Sequence, residues 1–466
     1  KVDRIEVASA RVSKGELEAV KEITEWSKET DFQKKIEVLT FLDNGISIEW
    51  MIKSGAKVQN LLTKGSFNHL KHQLKQTPEK HFINIEKSIN IARDHGIITN
   101  VYLEDWSNGM RNSKDYVHEL LNFLSTKNIK RILLPDTLGV LTPHETKKFI
   151  SEIINKYPKH VFDFHGHNDY DLGVANAMEA VKCGVNGLHM TINGMGERAG
   201  NVPLASIVSV INDFVPNVKT NINEKALFKV SQIVSTFTGI RIPANKPVVG
   251  ANVFTQTAGI HADGDSKKNL YHNNLVPERF GRKRKYALGK TSGKANIIKN
   301  LEELGLKLND SDLNKVTKRI TELGDKKQRV TSYDLPYIIS DVLGSHNSQK
   351  KIIVKSYALT HAKGLNPSTT VSLEIDGEIL EENASGDGQF DAFMNAVQKI
   401  YKQKKMRLTY LIDYAVHIPP GSNSDALFET TITWKLDDDE FITRGLDSDQ
   451  TVSAIIATEK MLNNYF

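Results

Sequence analysis

The chain has 466 residues, 39% hydrophobic and 25% charged, the balance of an ordinary soluble globular protein of two or three domains. Its net charge of +5 is too small for this length to argue for a nucleic-acid partner, and no run approaches the ~20 apolar residues of a membrane span. One cysteine, Cys183, excludes an intrachain disulfide and, with no signal peptide at the start, suits a cytoplasmic protein.

From the N-terminus, short apolar runs alternate with longer amphipathic ones. The runs are RIEVAS (4–9), IEVLTFL (36–42), KVQNLLT (57–63), NVYLEDW (100–106), RILLPDT (131–137), HVFDFHGHN (160–168) and GLHMTIN (187–193). Their length and their β-branched and aromatic content predict strands. Between them ELEAVKEITEWSKE, FINIEKSINIARDHG, PHETKKFISEIINKY and DLGVANAMEAVKCG carry helical spacing, and two of these end in glycine just before the next strand. Such a βα alternation means parallel strands with helical crossovers. Seven strands are one short of a closed (β/α)8 TIM barrel. KVDRIEV reads as the tail of a helix running into a strand. The expectation is therefore an α/β barrel whose first strand and helix, roughly 40 residues, precede Lys1. An open seven-stranded sheet is the plainer alternative.

Catalytic groups of such barrels gather at the C-terminal ends of the strands. Those ends carry Glu6, Glu104 with Asp105, Asp136 with Thr137, His165 with His167, and Asn193. In HVFDFHGHN the period of two puts Asp163, His165 and His167 on one face and Phe162 and Phe164 on the other. The phenylalanines suit the helix-facing side, so the histidines face the barrel axis. Two inward imidazoles at one level can bind a divalent cation, against the plainer reading of a hydrogen-bonded core pair. The following loop, NGMGERAGN (193–201), has glycines for tight turns around an embedded Glu-Arg.

Taken together, LPDTLGVLTP, FHGHNDYDLGVANAMEAV, NGMGERAGN and GIHADGD resemble the α-isopropylmalate, homocitrate and citramalate synthase family over essentially the whole chain. EVASARVSKGE, NVYLEDWSNGMRNS, FGRKRKYALGK and DYAVHIPPGSNSDALFET are most similar to its bacterial (R)-citramalate synthases. The family's barrel opens on a Leu-Arg-Asp-Gly-Glu-Gln strand that supplies a metal-binding aspartate and a catalytic arginine; no such stretch occurs in this sequence. By the resemblance, His165, His167 and Asn201 are metal ligands or near-ligands, and Thr137 contacts a 2-oxo acid. Glu104, His261 and Tyr286 are implied as catalytic, the last two reaching the site from the linker region of a partner subunit.

The implied reaction is a Claisen-type condensation of acetyl-CoA with a 2-oxo acid, which needs a divalent metal and a base for the methyl proton. Glu104 and His261 are both candidate bases, and Mn, Zn, Mg and Co fit the ligand set about equally. Inward positions Leu39, Leu62 and Tyr102 are large, which favours pyruvate and hence citramalate; the plain reading is that they fill the barrel. 2-Isopropylmalate synthesis is the alternative activity. A non-catalytic metabolite sensor is the reading from a different class, should the first barrel motif be truly absent. The basic run RFGRKRKY (279–286) reads as a solvated face or as a site for the phosphates of CoA.

The expected domains are a barrel over 1–240, a helical linker over 241–345 and a C-terminal α+β module over 346–466. The linker run KANIIKNLEELGLKLNDSDLNKVTKRITELGDKK has helical spacing. The last third reads βββα twice, with SGDGQFDAF and LDSDQTVSA opening the helices and aspartates to cap them. It resembles the family's allosteric and dimerisation domain, which implies a homodimer and an amino-acid effector, isoleucine for a citramalate synthase. Phe390, Asp391, Tyr414 and Gln450 are the candidate effector residues. A purely structural dimer module is the alternative.

Overall fold

The structure is a computed structural model that describes residues 2–30, 32–267, 270–325, 330, 332–343, 352–407, 409–418, 427–437 and 439–463. Of the quoted sequence, Lys1, 326–327 and 419–426 lie outside the described residues. The chain forms two compact units, one of Lys1–Phe254 with His272–Arg284 and one of Thr255–Tyr271 with Lys285–Phe466.

The first unit is built on a seven-stranded sheet in strict chain order. Its strands are β1 (Ile5–Ser9), β2 (Ile36–Thr40), β3 (Val58–Lys64), β4 (Ile98–Glu104), β5 (Ile132–Asp136), β6 (Phe162–Gly166) and β7 (Gly187–His189). Every neighbouring pair is parallel, so all seven expected strands form, in the expected sense. β7 and β1 do not pair among the described residues, so the sheet is a curled, unclosed barrel. Side chains still span the opening, Arg4 before β1 with Asp163 of β6 at 3.0 Å and Glu6 of β1 with His189 of β7 at 3.8 Å.

The crossover helices fall where the apolar spacing puts them. Thr142 and Glu145 form a reciprocal capping box around Pro143 and start the helix Pro143–Lys156. Gly96 and Gly184 follow their helices at φ +67° and +97°, the left-handed stop that a side chain resists. Outward-facing Leu61, Val101, Leu103, Leu134, Phe162 and Phe164 join the buried core between sheet and helices, which leaves the alternate positions to the barrel interior.

In the second unit β8 (Thr255–Gln256) and β9 (Lys285–Tyr286) make a short parallel pair, and helices Lys294–Glu303, Asp310–Asp325 and Leu335–Leu343 share a small apolar core. Two antiparallel sheets follow. They are β10 (Ile352–Thr360), β11 (Ser368–Ile375) and β12 (Glu378–Ser385), then β13 (Tyr410–His417), β14 (Phe428–Leu436) and β15 (Asp439–Asp447). Each ends in a helix, Gln389–Gln403 and Gln450–Leu462, so the predicted βββα repeat is present. Only one of the two expected aspartate caps forms. Asp449 accepts from the N–H groups of Thr451 and Val452, at 2.7 and 3.0 Å. The first helix is instead capped by Gly388, and Asp391 turns back to take the Asp387 N–H at 2.9 Å.

Candidate active site

The interior of the curled sheet is polar from its floor upward. Arg131 of the turn into β5 donates to both Glu37 of β2 and Asp163 of β6, and all three are buried. One level up, Asn60 of β3 donates to Glu37 at 3.0 Å and to Glu6, while accepting from Asn100 of β4 at 2.8 Å. Buried ions and amides are tolerable only when paired in this way. Glu6 lies inside β1, beside a bulge between Glu6 and Ala8, and not at the strand end where the sequence placed it.

Above this floor stand His165, Tyr102 and His189. His165 and His189 are register partners on β6 and β7, with their Nδ1 atoms 2.8 Å apart. The Tyr102 hydroxyl lies 3.1 Å from the same His189 nitrogen. Burial holds His165 well below the ordinary imidazole range, so it is neutral. Burial, with Glu6, Glu37 and Asp163 nearby, pushes the Tyr102 phenol well up, so it keeps its proton. His167 lies 5.0 Å from His165, ring centre to ring centre, and is also shifted down by burial and then by Arg198.

The glycine loop is tied to this face. His167 bridges Asn201, and the Asn168 N–H donates to the Gly200 carbonyl at 2.9 Å. Gly200 sits at φ +85°, where a Cβ would strike the Gly194 carbonyl oxygen. The embedded Arg198 grips Asp169 with two hydrogen bonds of 2.7 and 3.0 Å and donates to the Thr137 carbonyl at 2.8 Å. Asn193 does not face the barrel mouth: at φ +58° its amide donates to the Ser231 carbonyl at 2.9 Å.

Among the described residues no group of three His, Cys, Asp or Glu side chains could hold a metal ion. A set with an amide is present instead. His167 Nδ1 and the Asn201 side-chain oxygen are both buried without a hydrogen-bond partner, beside the neutral His165. Neutral imidazoles and an amide oxygen are donors suited to a divalent cation, so the residues present fit one.

Glu104 ends β4 and is held by the buried ammonium of Lys64, which ends β3. Thr137 accepts the Asp105 N–H at 2.9 Å, tying its loop to the end of β4. Leu39 and Leu62 are half-buried at inward positions of β2 and β3, Leu62 in register with Tyr102. The strand ends thus gather Glu104, Thr137, Leu39, Leu62, Tyr102, His165, His167 and Asn201 in one unit. His189 and Lys64 were missed because the predicted runs were misjudged at their ends. GLHMTIN was carried past His189, the true end of β7, and KVQNLLT stopped one residue short of Lys64.

His261 and Tyr286 belong to the second unit. The His261 ring packs on Tyr271 at 4.2 Å, and the Tyr286 hydroxyl donates to Asp265 at 3.3 Å. The basic run 279–286 is not simply a solvated face. Arg279 is bound to Glu224 and Asp213, and Arg282 donates to the carbonyls of Val248, Gly250 and Ala251. Of the effector candidates, Phe390 meets Tyr414 at 5.3 Å, and Tyr414, pushed up by burial, hydrogen-bonds Gln450. Asp391 is engaged in its own loop.

The HMGL-like family model matches residues 1–234, a homocitrate synthase post-HMGL domain-like model 248–328, and the LeuA allosteric (dimerisation) domain 329–466. A putative (R)-citramalate synthase of Methanopyrus kandleri is 30% identical over 94% of this chain and 84% of its own. A probable 2-isopropylmalate synthase of Archaeoglobus fulgidus is 31% identical over 99% and 90%. An (R)-citramalate synthase of Methanocaldococcus jannaschii is 31% identical over 99% and 92%.

Proposed function

The chain belongs to the HMGL-like family and, along its length, to the acetyl-CoA-condensing synthases; on that premise we propose that it joins acetyl-CoA to pyruvate and releases (R)-citramalate and CoA. The substrate choice rests on one observation: the inner sheet face beside the histidines is walled by Leu39, Leu62 and Tyr102. Their bulk would suit a methyl group on the 2-oxo acid better than the isopropyl group of 2-oxoisovalerate.

His165, His167 and Asn201 would hold a divalent cation, Mn, Zn, Mg or Co, and when bound it would polarise the ketone of the 2-oxo acid. Burial keeps both imidazoles neutral, so each offers a lone pair. Thr137 would position the 2-oxo acid. Glu104, fixed by Lys64, would accept a methyl proton of acetyl-CoA. The C–H electron pair then forms the new bond to the ketone carbon, whose π pair moves to the ketone oxygen, and that oxygen takes a proton to become the product hydroxyl. Water cleaves the thioester, and CoA leaves as the thiol. His261, with Tyr286, is the other candidate for the proton transfer, acting from a partner subunit.

We further assign the repeat module as the dimerisation and regulatory part of a cytoplasmic homodimer, with isoleucine at Phe390, Asp391, Tyr414 and Gln450. Isothermal titration with isoleucine and leucine tests this; binding of neither leaves only a structural role. Leu39→Gly tests the pocket. It should raise turnover of 2-oxobutyrate and 2-oxoisovalerate relative to pyruvate, and an unchanged ratio removes Leu39 from the specificity wall.

A further inference from the structure

His189 is not part of the proposed ligand set, yet its ring faces His165, Tyr102 and Glu6. Its Nδ1 lies 2.8 Å from His165 Nδ1 and 3.1 Å from the Tyr102 hydroxyl. Its Nε2 lies 3.8 Å from a carboxylate oxygen of Glu6. The other Glu6 oxygen takes one hydrogen bond from the Asn60 amide, which also donates to Glu37 at 3.0 Å. The Asn60 oxygen accepts from Asn100 at 2.8 Å. The donors and acceptors of this column therefore run in one direction, from Asn100 through Asn60 to an acceptor-only Glu6.

That direction fixes the hydrogens above it. A nitrogen lone pair facing the Glu6 carboxylate would be repulsive, so His189 Nε2 carries the hydrogen. In the tautomer with its hydrogen on Nε2, the ring presents a lone pair at Nδ1 to the Tyr102 hydroxyl and to His165. Both groups that face Nδ1 must then donate to it. Tyr102 does so through its hydroxyl, and His165 through Nδ1–H.

We propose that His189 is a positioning residue that holds His165 in its Nδ1–H tautomer, leaving His165 Nε2 as the nitrogen that binds a divalent cation. The proposal rests on the reading of His165 as a cation ligand. Outer-shell partners of this kind set the tautomer and ring orientation of a metal-binding histidine, and their loss weakens metal affinity about 10- to 100-fold.

Two measurements on the full chain test it. The first is the long-range proton–nitrogen NMR spectrum of the metal-free, histidine-15N-labelled protein, with His165 assigned from a His165→Ala spectrum. His165 should be protonated at Nδ1 and bare at Nε2; protonation at Nε2 overturns the proposal, and this needs no folded His189 variant. The second is titration with Co2+ alone, followed by visible absorption, beside the melting temperature of each metal-free protein. His189→Phe, which keeps a ring but no acceptor, should bind about 10- to 100-fold more weakly. His189→Asn, whose amide oxygen can replace the Nδ1 acceptor, should recover most of the affinity. Wild-type affinity in His189→Phe overturns the positioning role. If His165→Ala binds Co2+ as tightly as the wild type, it is the ligand reading that fails.

Discussion

The inside of the curled sheet and the inside of the βββα repeat are built on opposite principles. The sheet encloses Glu37, Arg131, Asp163, Asn60 and Asn100, each hydrogen-bonded to another member of the set, while Asn100 Oδ1 and Asp163 Oδ1 are buried without a partner. The repeat encloses Val371, Leu373, Phe393, Ile400, Ile432, Trp434 and Met461 in one apolar cluster. An apolar core is non-directional and accepts any filling of the right volume, whereas a buried polar column fixes the orientation of every group in it. The column ends on the histidines, so the orientation it imposes is delivered to the candidate site.

The sharpest way to break this comparison is to remove one member of each interior. Arg131→Leu removes the buried cation that two carboxylates share, leaving Asp163 only Arg4 and Glu37 only Asn60 and the more distant Arg4, and should cost about 3–5 kcal/mol in denaturant unfolding. A loss below about 1 kcal/mol would mean that the column is not a cooperating unit.

Acid sharpens the same contrast. His81, buried behind β3 with its Nε2 accepting the Lys64 N–H at 3.2 Å, is held down to about 4 by burial and then by Lys64. An unfolded histidine titrates near 6.5, so between about 6.5 and 4 the unfolded chain binds the proton that the native chain refuses. Stability therefore falls as pH drops through that window, by up to roughly 3 kcal/mol, and is flat with respect to this group below it. His81→Gln should flatten the unfolding free energy measured across this window. An unchanged slope assigns the acid sensitivity to other groups.

The smallest effect is expected in the repeat. Phe393→Leu keeps most of the volume and should cost less than about 1.5 kcal/mol. A loss as large as that of Arg131→Leu would mean that the two interiors are equally exacting.

Much of the fold was legible because its signals are local. The strand runs, the glycine stops at 96 and 184 and the βββα repeat are all written in neighbouring residues. The His165–His167 pair was legible for the same reason, since period-two alternation assigns its face from one strand alone. What escaped depended on contacts between strands. The polar column joins residues such as Arg131 and Glu37, 94 positions apart, and no periodicity announces such a pairing. His189 lay in a run whose end was misjudged, and Arg198 found its role only when Asp169 was brought against it.

The central claim is that His165, His167 and Asn201 form a cation site for a small 2-oxo acid. The most direct test is the rate of CoA thiol release from acetyl-CoA with pyruvate and with 2-oxoisovalerate, in the presence of a divalent cation, for the wild-type chain and His167→Ala. The account predicts a higher kcat/KM with pyruvate and loss of release in His167→Ala. Preference for 2-oxoisovalerate would contradict the pocket, and wild-type release by His167→Ala would contradict the site itself.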